Sequence, residues 1–421
     1  MKSAKAKAGI ILTSLELYRQ CMPELAGKLE EYWTGVLQNI VGDTAELHFT
    51  GVSHSPEEVS AAVSSCEAAK CALLVVLPLT YAPSGSAHTA LANSKLPLLL
   101  VSTARDATLP YDMASDQIMA NHAVHGIQDL ANVLHRVGRT FEIIAGHHDD
   151  PKFSIKLLDS IKAAAGAQVL RHGRIGRLGE PFEGMLDFMF SPASVSQSLG
   201  LEIVTLEPSD LATLAGSIHT KRTAAFIDWV RNEFEVDPKF TDADLADTAN
   251  WSLALEGLAD ENGLDAIAMN FKTVNDSGAP TLPFLGASRL MARGIGYAGE
   301  SDVLTASLMA ATAHLAGEAT FTEMFCPDYE RNEILLSHMG ECNYALADPS
   351  KKVWLAAKDF AFGKPVRIAV PVCQFRPGKV TLASLTEWNA GKFRLIVTTG
   401  EILKAPDHPN LDSPYSRINF G

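Results

Sequence analysis

Three side chains able to hold a cation or move a proton fall within one largely apolar segment: Glu300, Glu323 and His338. Glu323 stands between Phe321 and Phe325 in "TFTEMF", and a carboxylate in an apolar frame needs a cation, a donor or a proton beside it. Two carboxylates and an imidazole suit a hard or borderline divalent ion such as Mn2+. The lack of paired thiolates nearby speaks against structural zinc. The same residues also allow a reading without metal, in which Glu300 caps a helix starting at 301, Glu323 pairs with Arg331 and His338 is a satisfied core histidine.

Other polar groupings read as structure. "GHHDD" carries His147, His148, Asp149 and Asp150 after a strand, and neighbouring histidines in a strand point to opposite faces, so a junction loop is expected. The glycines of "GRIGRLG" (173, 176, 179) lack the dinucleotide fingerprint and are expected in a turn. Cys326 has no base implied near it and reads as a buried structural thiol. The charge-rich run 228–251 reads as a solvated helical edge.

The elements that must position these groups begin with short apolar runs, "AGIILTSL", "AELHFTGV", "CALLVVLPL" and "LPLLLVST", alternating with helix-like segments such as "PEEVSAAVSSCEAA". This order predicts a mostly parallel sheet covered by helices. A second series follows: a helix over 152–166, strand "AQVLRHG", turn "RIGRLGEPFEG", strand "LEIVTLEP" and a helix over 209–233. After helices near 301–317 and 330–339, the segments "VRIAVPVCQF", "GKVTLASLTEW" and "KFRLIVTTGEIL" alternate as strands, with short turns expected at "RPGK" and "NAGK". The reading is an α/β chain with two Rossmann-like or flavodoxin-like domains, 1–140 and 141–290. A C-terminal domain, 291–421, carries an antiparallel, barrel-like module.

A chain of 421 residues can bury more than one core. Its net charge of −14, with no basic stripe, argues against nucleic acid as a partner. Six cysteines without a CxxC pair fit reduced thiols in a cytoplasmic protein, and no apolar run reaches the roughly 20 residues a membrane span needs.

The segments "GESDVLTASL", "TFTEMF" and "LLSHMGE" resemble the metal-binding segments of the L-arabinose isomerase family, which is related in fold to the L-fucose isomerases. "LELYRQCMPEL" resembles that family's sugar-contacting loop, carried here by Glu16, Leu17 and Tyr18. "MANHAVHGIQDLANVLHRVG" resembles its Asn-Gln-x-x-His-Gly helix, with His125 matching the substrate-binding histidine and His122 standing where Gln is common. The resemblance implies that Glu300, Glu323 and His338 ligate Mn2+, or another divalent ion such as Co2+ or Mg2+. It also implies a homo-oligomer, a trimer or hexamer, with each site at a subunit boundary. The family's fourth ligand is a histidine in a C-terminal "HH" segment, whereas the only histidine after His338 here is His408. The expectation is that the natural chain runs on past "SPYSRINFG"; otherwise the fourth position is filled differently.

The function so implied is interconversion of an aldopentose or 6-deoxyhexose with its ketose through an enediol, with Glu300 and Glu323 as the proton-moving carboxylates. Two alternatives share the scaffold: a sugar-binding or regulatory homologue, and a metal-dependent lyase acting on a sugar acid.

Overall fold

The computed structural model describes residues 5–360, 362–389 and 391–420. They form two compact units, divided at Ala165 and Gly166 within the helix Pro151–His172. In the first unit, strands β1 (Ala6–Thr13), β2 (Ala45–Ser53), β3 (Leu73–Pro78), β4 (Leu98–Ser102) and β5 (Glu142–Ala145) make a parallel sheet in the order β2-β1-β3-β4-β5. The "LLVVLP" of β3 is buried at every residue because helices cover both faces of the sheet, so the apolar run is continuous rather than alternating. The helix Pro56–Ala68 starts where its sequence says it should: the Ser55 side chain accepts from the Glu58 N–H, and proline takes the first turn.

The second unit opens with another parallel sheet. Strands β6 (Arg174–Leu178) and β7 (Glu202–Leu206) belong to it; β8 (Glu235–Val236) does not; β9 (Ala266–Met269) and β10 (Gly296–Gly299) complete the order β10-β9-β6-β7. The helix Val303–Ala316 lies against β10 so closely that a Cβ on Gly296 would overlap the Ala306 carbonyl and the Ala310 N–H. That helix is apolar all round, as burial on most of its surface demands.

The remaining strands are β11 (Glu323–Asp328), β12 (Glu333–Ser337), β13 (Trp354–Asp359), β14 (Arg367–Val372), β15 (Gly378–Asn389), β16 (Lys392–Ile402) and β17 (Tyr415–Asn419). Among the described residues, β11-β12-β17-β16-β15 is an antiparallel sheet, while β14-β13-β8 is a smaller one in which β13 and β8 run parallel. The mixed α/β architecture and the C-terminal antiparallel pairing follow the sequence reading.

Several local expectations are corrected. "AQVLRHG" is helical, since its Ala, Gln, Leu and Arg prolong Pro151–His172, and the strand is instead "RIGRL", with Ile175 and Leu178 buried. Gly176 therefore sits in β6 rather than in a turn, where a Cβ would meet the methyls of Leu264 and Leu206. The helix expected over 209–233 is two, Pro208–Ser217 and Thr220–Glu233, the second starting at His219, whose side chain accepts from the Lys221 N–H.

No helix forms over 330–339. A tight turn, with Asn332 at φ +54° and the Arg331 N–H donated to Asp328 Oδ1 at 3.1 Å, returns the chain as β12. The strands flanking "RPGK" belong to different sheets, whereas β15 and β16 do pair across "NAGK", of which Ala390 lies outside the described residues. The charged run 228–251 is not simply solvated, because it holds β8, the buried Asp237 and the core residues Leu245, Ala249 and Trp251.

Candidate metal centre

Glu300 is placed by the end of a parallel strand, where open α/β sheets place their ligands. It follows β10 at φ +56° and is succeeded by Ser301 at φ +63°, a left-handed pair that non-glycine residues seldom adopt, at a cost of about 1–3 kcal/mol each. The surroundings enforce it. Ser301 Oγ donates to the carbonyls of Leu178 (3.1 Å) and Gly179 (3.0 Å), and the Phe182 N–H donates to the Glu300 carbonyl at 3.0 Å. The helix that follows is capped by Asp302, not Glu300: Asp302 Oδ1 accepts from the N–H groups of Leu304 and Thr305, both at 3.0 Å. Glu300 is thereby left to point elsewhere.

Glu323 and His338 come from the hairpin that replaced the expected helix. The register sets Glu323 opposite Ser337, where β12 ends, and the chain turning away there brings His338 to the Glu323 carboxylate. One oxygen of each carboxylate and one His338 ring nitrogen lie within 4.8 Å of one another. His338 is buried, with Nε2 at 3.8 Å from Glu300 Oε2 and Nδ1 at 3.1 Å from Glu341 Oε2. The Phe321 ring meets it edge-on at 4.6 Å between centroids. Gly299 makes room, because a Cβ there would lie 3.3 Å from His338 Cε1. Phe325 does not complete an apolar frame; it is exposed, and so is Cys326, which corrects its reading as a buried thiol. Arg331 pairs with Asp328 rather than with Glu323.

The electrostatics favour positive charge at this point. Burial opposes protonation of His338, yet Glu341 and Glu300 outweigh it and push the imidazole up to about 10. Burial raises Glu323 above the usual carboxylate range, with the charge of Glu300 adding to it and His338 opposing. Glu341 is itself buried, and its second oxygen, Oε1, has no hydrogen-bond partner among the described residues. A carboxylate holding Nδ1 while Nε2 faces another carboxylate is how a metal-ligating histidine is oriented. The donor set fits a divalent cation. Glu341 was not singled out from the sequence, although it stands three residues beyond His338 in "SHMGE".

The residues matched to sugar contact lie in the first unit. Glu16, Leu17 and Tyr18 open the helix Glu16–Cys21 just beyond β1, where Arg19 bridges Glu16 at 2.5 Å and Glu58 at 2.7 Å. Leu17 is exposed, and burial, followed by the charges of Cys21 and Tyr81, raises the Tyr18 phenol. His122 and His125 gather with Tyr81, which the sequence did not mark, at centroid distances of 5.8 and 4.9 Å from its ring. His122 Nδ1 is buried without a hydrogen-bond partner among the described residues. His408 stands apart from the three-donor group; Arg417 Nε donates to its ring at 3.4 Å.

Three sequence profiles match the chain: the L-arabinose isomerase N-terminal domain over residues 10–172, the central domain over 193–318 and the C-terminal domain over 318–418. Together they span nearly the whole sequence. Among individual relatives, the L-arabinose isomerase of Klebsiella pneumoniae is 26% identical over 81% of this chain and 70% of its own length. That of Saccharophagus degradans is 25% identical over 87% of this chain and 75% of its own length. That of Shouchella clausii is 24% identical, with shares of 87% and 76%. Among the described residues no helix is long and apolar enough to cross a membrane.

Proposed function

The chain belongs to the L-arabinose isomerase family, and from that premise we propose that it interconverts an aldopentose or 6-deoxyhexose with its ketose at the cluster of Glu300, Glu323 and His338. The convergence of these three donors within 4.8 Å carries the reading. They would hold one divalent cation such as Mn2+, with Glu341 fixing the His338 ring. When bound, that cation supplies Lewis-acid polarisation of the adjacent sugar oxygens.

The proton work falls to the chain's own carboxylates. Isomerisation moves one proton from C2 to C1 and another between the two oxygens, so no atom is gained or lost. Burial holds Glu323 above the usual carboxylate range, which suits it to carry a proton between C2 and C1. Glu300, fixed by its strained backbone, keeps its carboxylate aimed at the same point. Phe321 shields one side of His338 from water. Glu16, Leu17, Tyr18, His122 and His125 are assigned to the sugar, supplied by a neighbouring copy in a homo-oligomer.

The test incubates chelator-stripped protein with Mn2+ and each of a panel of aldopentoses and 6-deoxyhexoses, L-arabinose included, and analyses the products by ketose assay and mass. A ketose of unchanged mass is expected, and Glu323→Gln should lower its rate about 10² to 10⁴-fold. Fragments of a sugar acid would establish the lyase instead. Tight Mn2+ binding with no product from any sugar would favour a binding protein.

A further inference from the structure

The loop between β5 and the helix Pro151–His172 carries a grouping that shares no residue with the centre above. We propose that His147, His148 and Asp149 form a second cation site, taking a borderline divalent ion of the zinc class on two imidazoles and one carboxylate. The sequence reading placed these histidines on opposite faces, which holds for a strand. In the observed turn the rings instead lie side by side, with centroids 4.2 Å apart and planes inclined by 34°.

Their contacts tie both Nε2 atoms on the outside and turn both Nδ1 atoms towards Asp149. His147 Nε2 lies 3.3 Å from the Arg105 carbonyl, which can only accept, so Nε2 carries the proton. Nδ1 of the same ring accepts the Asp149 N–H at 3.3 Å, which requires a lone pair there. Tyr32 Oη lies 3.3 Å from the same Arg105 carbonyl and 2.7 Å from His148 Nε2; donating to the carbonyl, it accepts from His148 Nε2, the tautomer that a cation on Nδ1 selects. His148 Nδ1 then holds a lone pair as well. Both Nδ1 atoms face one carboxylate: His148 Nδ1 is 3.1 Å from Asp149 Oδ1, and His147 Nδ1 is 3.5 Å from Oδ2.

Two lone pairs turned on a carboxylate repel it unless positive charge lies among them. A proton on His148 Nδ1 would satisfy that ring alone; a divalent cation would draw on all three donors, the long 3.3 Å contact from the Asp149 N–H to His147 Nδ1 giving way to it. The ligating atoms lie within 4.8 Å of one another, a separation that small side-chain adjustments close around bonds of about 2.0–2.2 Å. The outer nitrogens, tied to a carbonyl and a tyrosine hydroxyl, show the outer-shell bonding of metal-ligating histidines. Rigidity is supplied by Tyr32 and Trp33, which meet the His148 ring edge-on at 5.7 and 5.2 Å. Asp149, 75% exposed, leaves a side open to water. Two imidazoles and one carboxylate with open positions select zinc-class ions over Mg2+ or Ca2+.

The test titrates full-length, chelator-stripped protein with Co2+, followed by visible absorption and calorimetry, and then with Zn2+ in competition. Wild type should bind two equivalents. Glu323→Gln/His338→Ala should keep one, and adding His148→Phe to that background should abolish it. In the same background Tyr32→Phe, which removes the acceptor of His148 Nε2 and the donor to the Arg105 carbonyl, should weaken Co2+ about 10 to 100-fold with an unchanged far-ultraviolet spectrum. Should His148→Phe fail to fold, Asp149→Asn, on an exposed carboxylate, reports the same loss. The proposal is overturned if Glu323→Gln/His338→Ala binds no Co2+ or Zn2+, or if its remaining binding is indifferent to these loop substitutions.

Discussion

At the scale of single residues, the centre rests on a contrast between the carboxylates that face His338. Glu300 presents an oxygen towards Nε2 and Glu323 brings one within 4.8 Å of the ring donor, while Glu341 holds Nδ1 at 3.1 Å and keeps its other, buried oxygen without a hydrogen-bond partner among the described residues. In the proposed site Glu341 would orient the ring rather than react, and removing it should loosen the ring without touching the other two donors. Glu341→Gln retains a hydrogen-bond acceptor but loses the charge, and is expected to weaken Mn2+ binding about 10 to 100-fold, measured by calorimetry, with the fold intact by circular dichroism. Unchanged affinity would show that the pair serves packing alone. "SHMGE" already displayed the histidine and the carboxylate, but only the turn after β12 brings the Glu341 carboxylate back against the ring.

At the scale of elements, the short helix Glu16–Cys21 carries Glu16, Leu17 and Tyr18 of the residues assigned to the sugar and buries none of its own side chains, so it depends on tethers. The Arg19–Glu58 bridge is one of them, and Glu58 also accepts the His54 N–H at 2.6 Å beside the start of its own helix. That backbone N–H, with Arg19 adding to it, holds the Glu58 carboxyl below the usual range. A carboxyl depressed in the folded state contributes stability in full above its unfolded value of about 4.3, and loses it as the pH falls through the lower folded value. Glu58→Gln should therefore lower the melting temperature modestly at pH 7, the loss of stability being no more than about 1 kcal/mol for so exposed a pair, and the gap from wild type should close as the pH drops below about 4. A gap that persists at low pH would locate the effect in packing rather than charge. The hairpin of β11 and β12 teaches a related lesson: Glu330 and Glu333 lent the segment a helical look, but pairing with β17 overrode their local preference.

At the scale of the whole molecule, the donor cluster belongs to residues 166–420 and the residues assigned to the sugar to residues 5–165. If neighbouring copies share sites as proposed, His125→Asn and Glu323→Gln, each nearly inactive alone, should regain part of the wild-type rate when unfolded together and refolded as hybrids. Light scattering should then report a trimer or hexamer. A monomer, or hybrids with no recovered activity, would place each site within one copy. The sequence by itself determined the alternation of strands and helices and the antiparallel character of the last third, and it singled out Glu300, Glu323 and His338 as candidates, because periodicity and short chemical patterns are local. It misplaced β6, β12 and the partners of β14, because strand pairing is decided by which distant segment offers a matching edge, something no local window contains. Only the tertiary structure decided that Glu300 and Ser301 are held in left-handed geometry by Leu178, Gly179 and Phe182. It alone turned His147 and His148 to one side, since a ring's direction follows from the backbone of the turn that carries it and from the acceptors that distant residues bring to it.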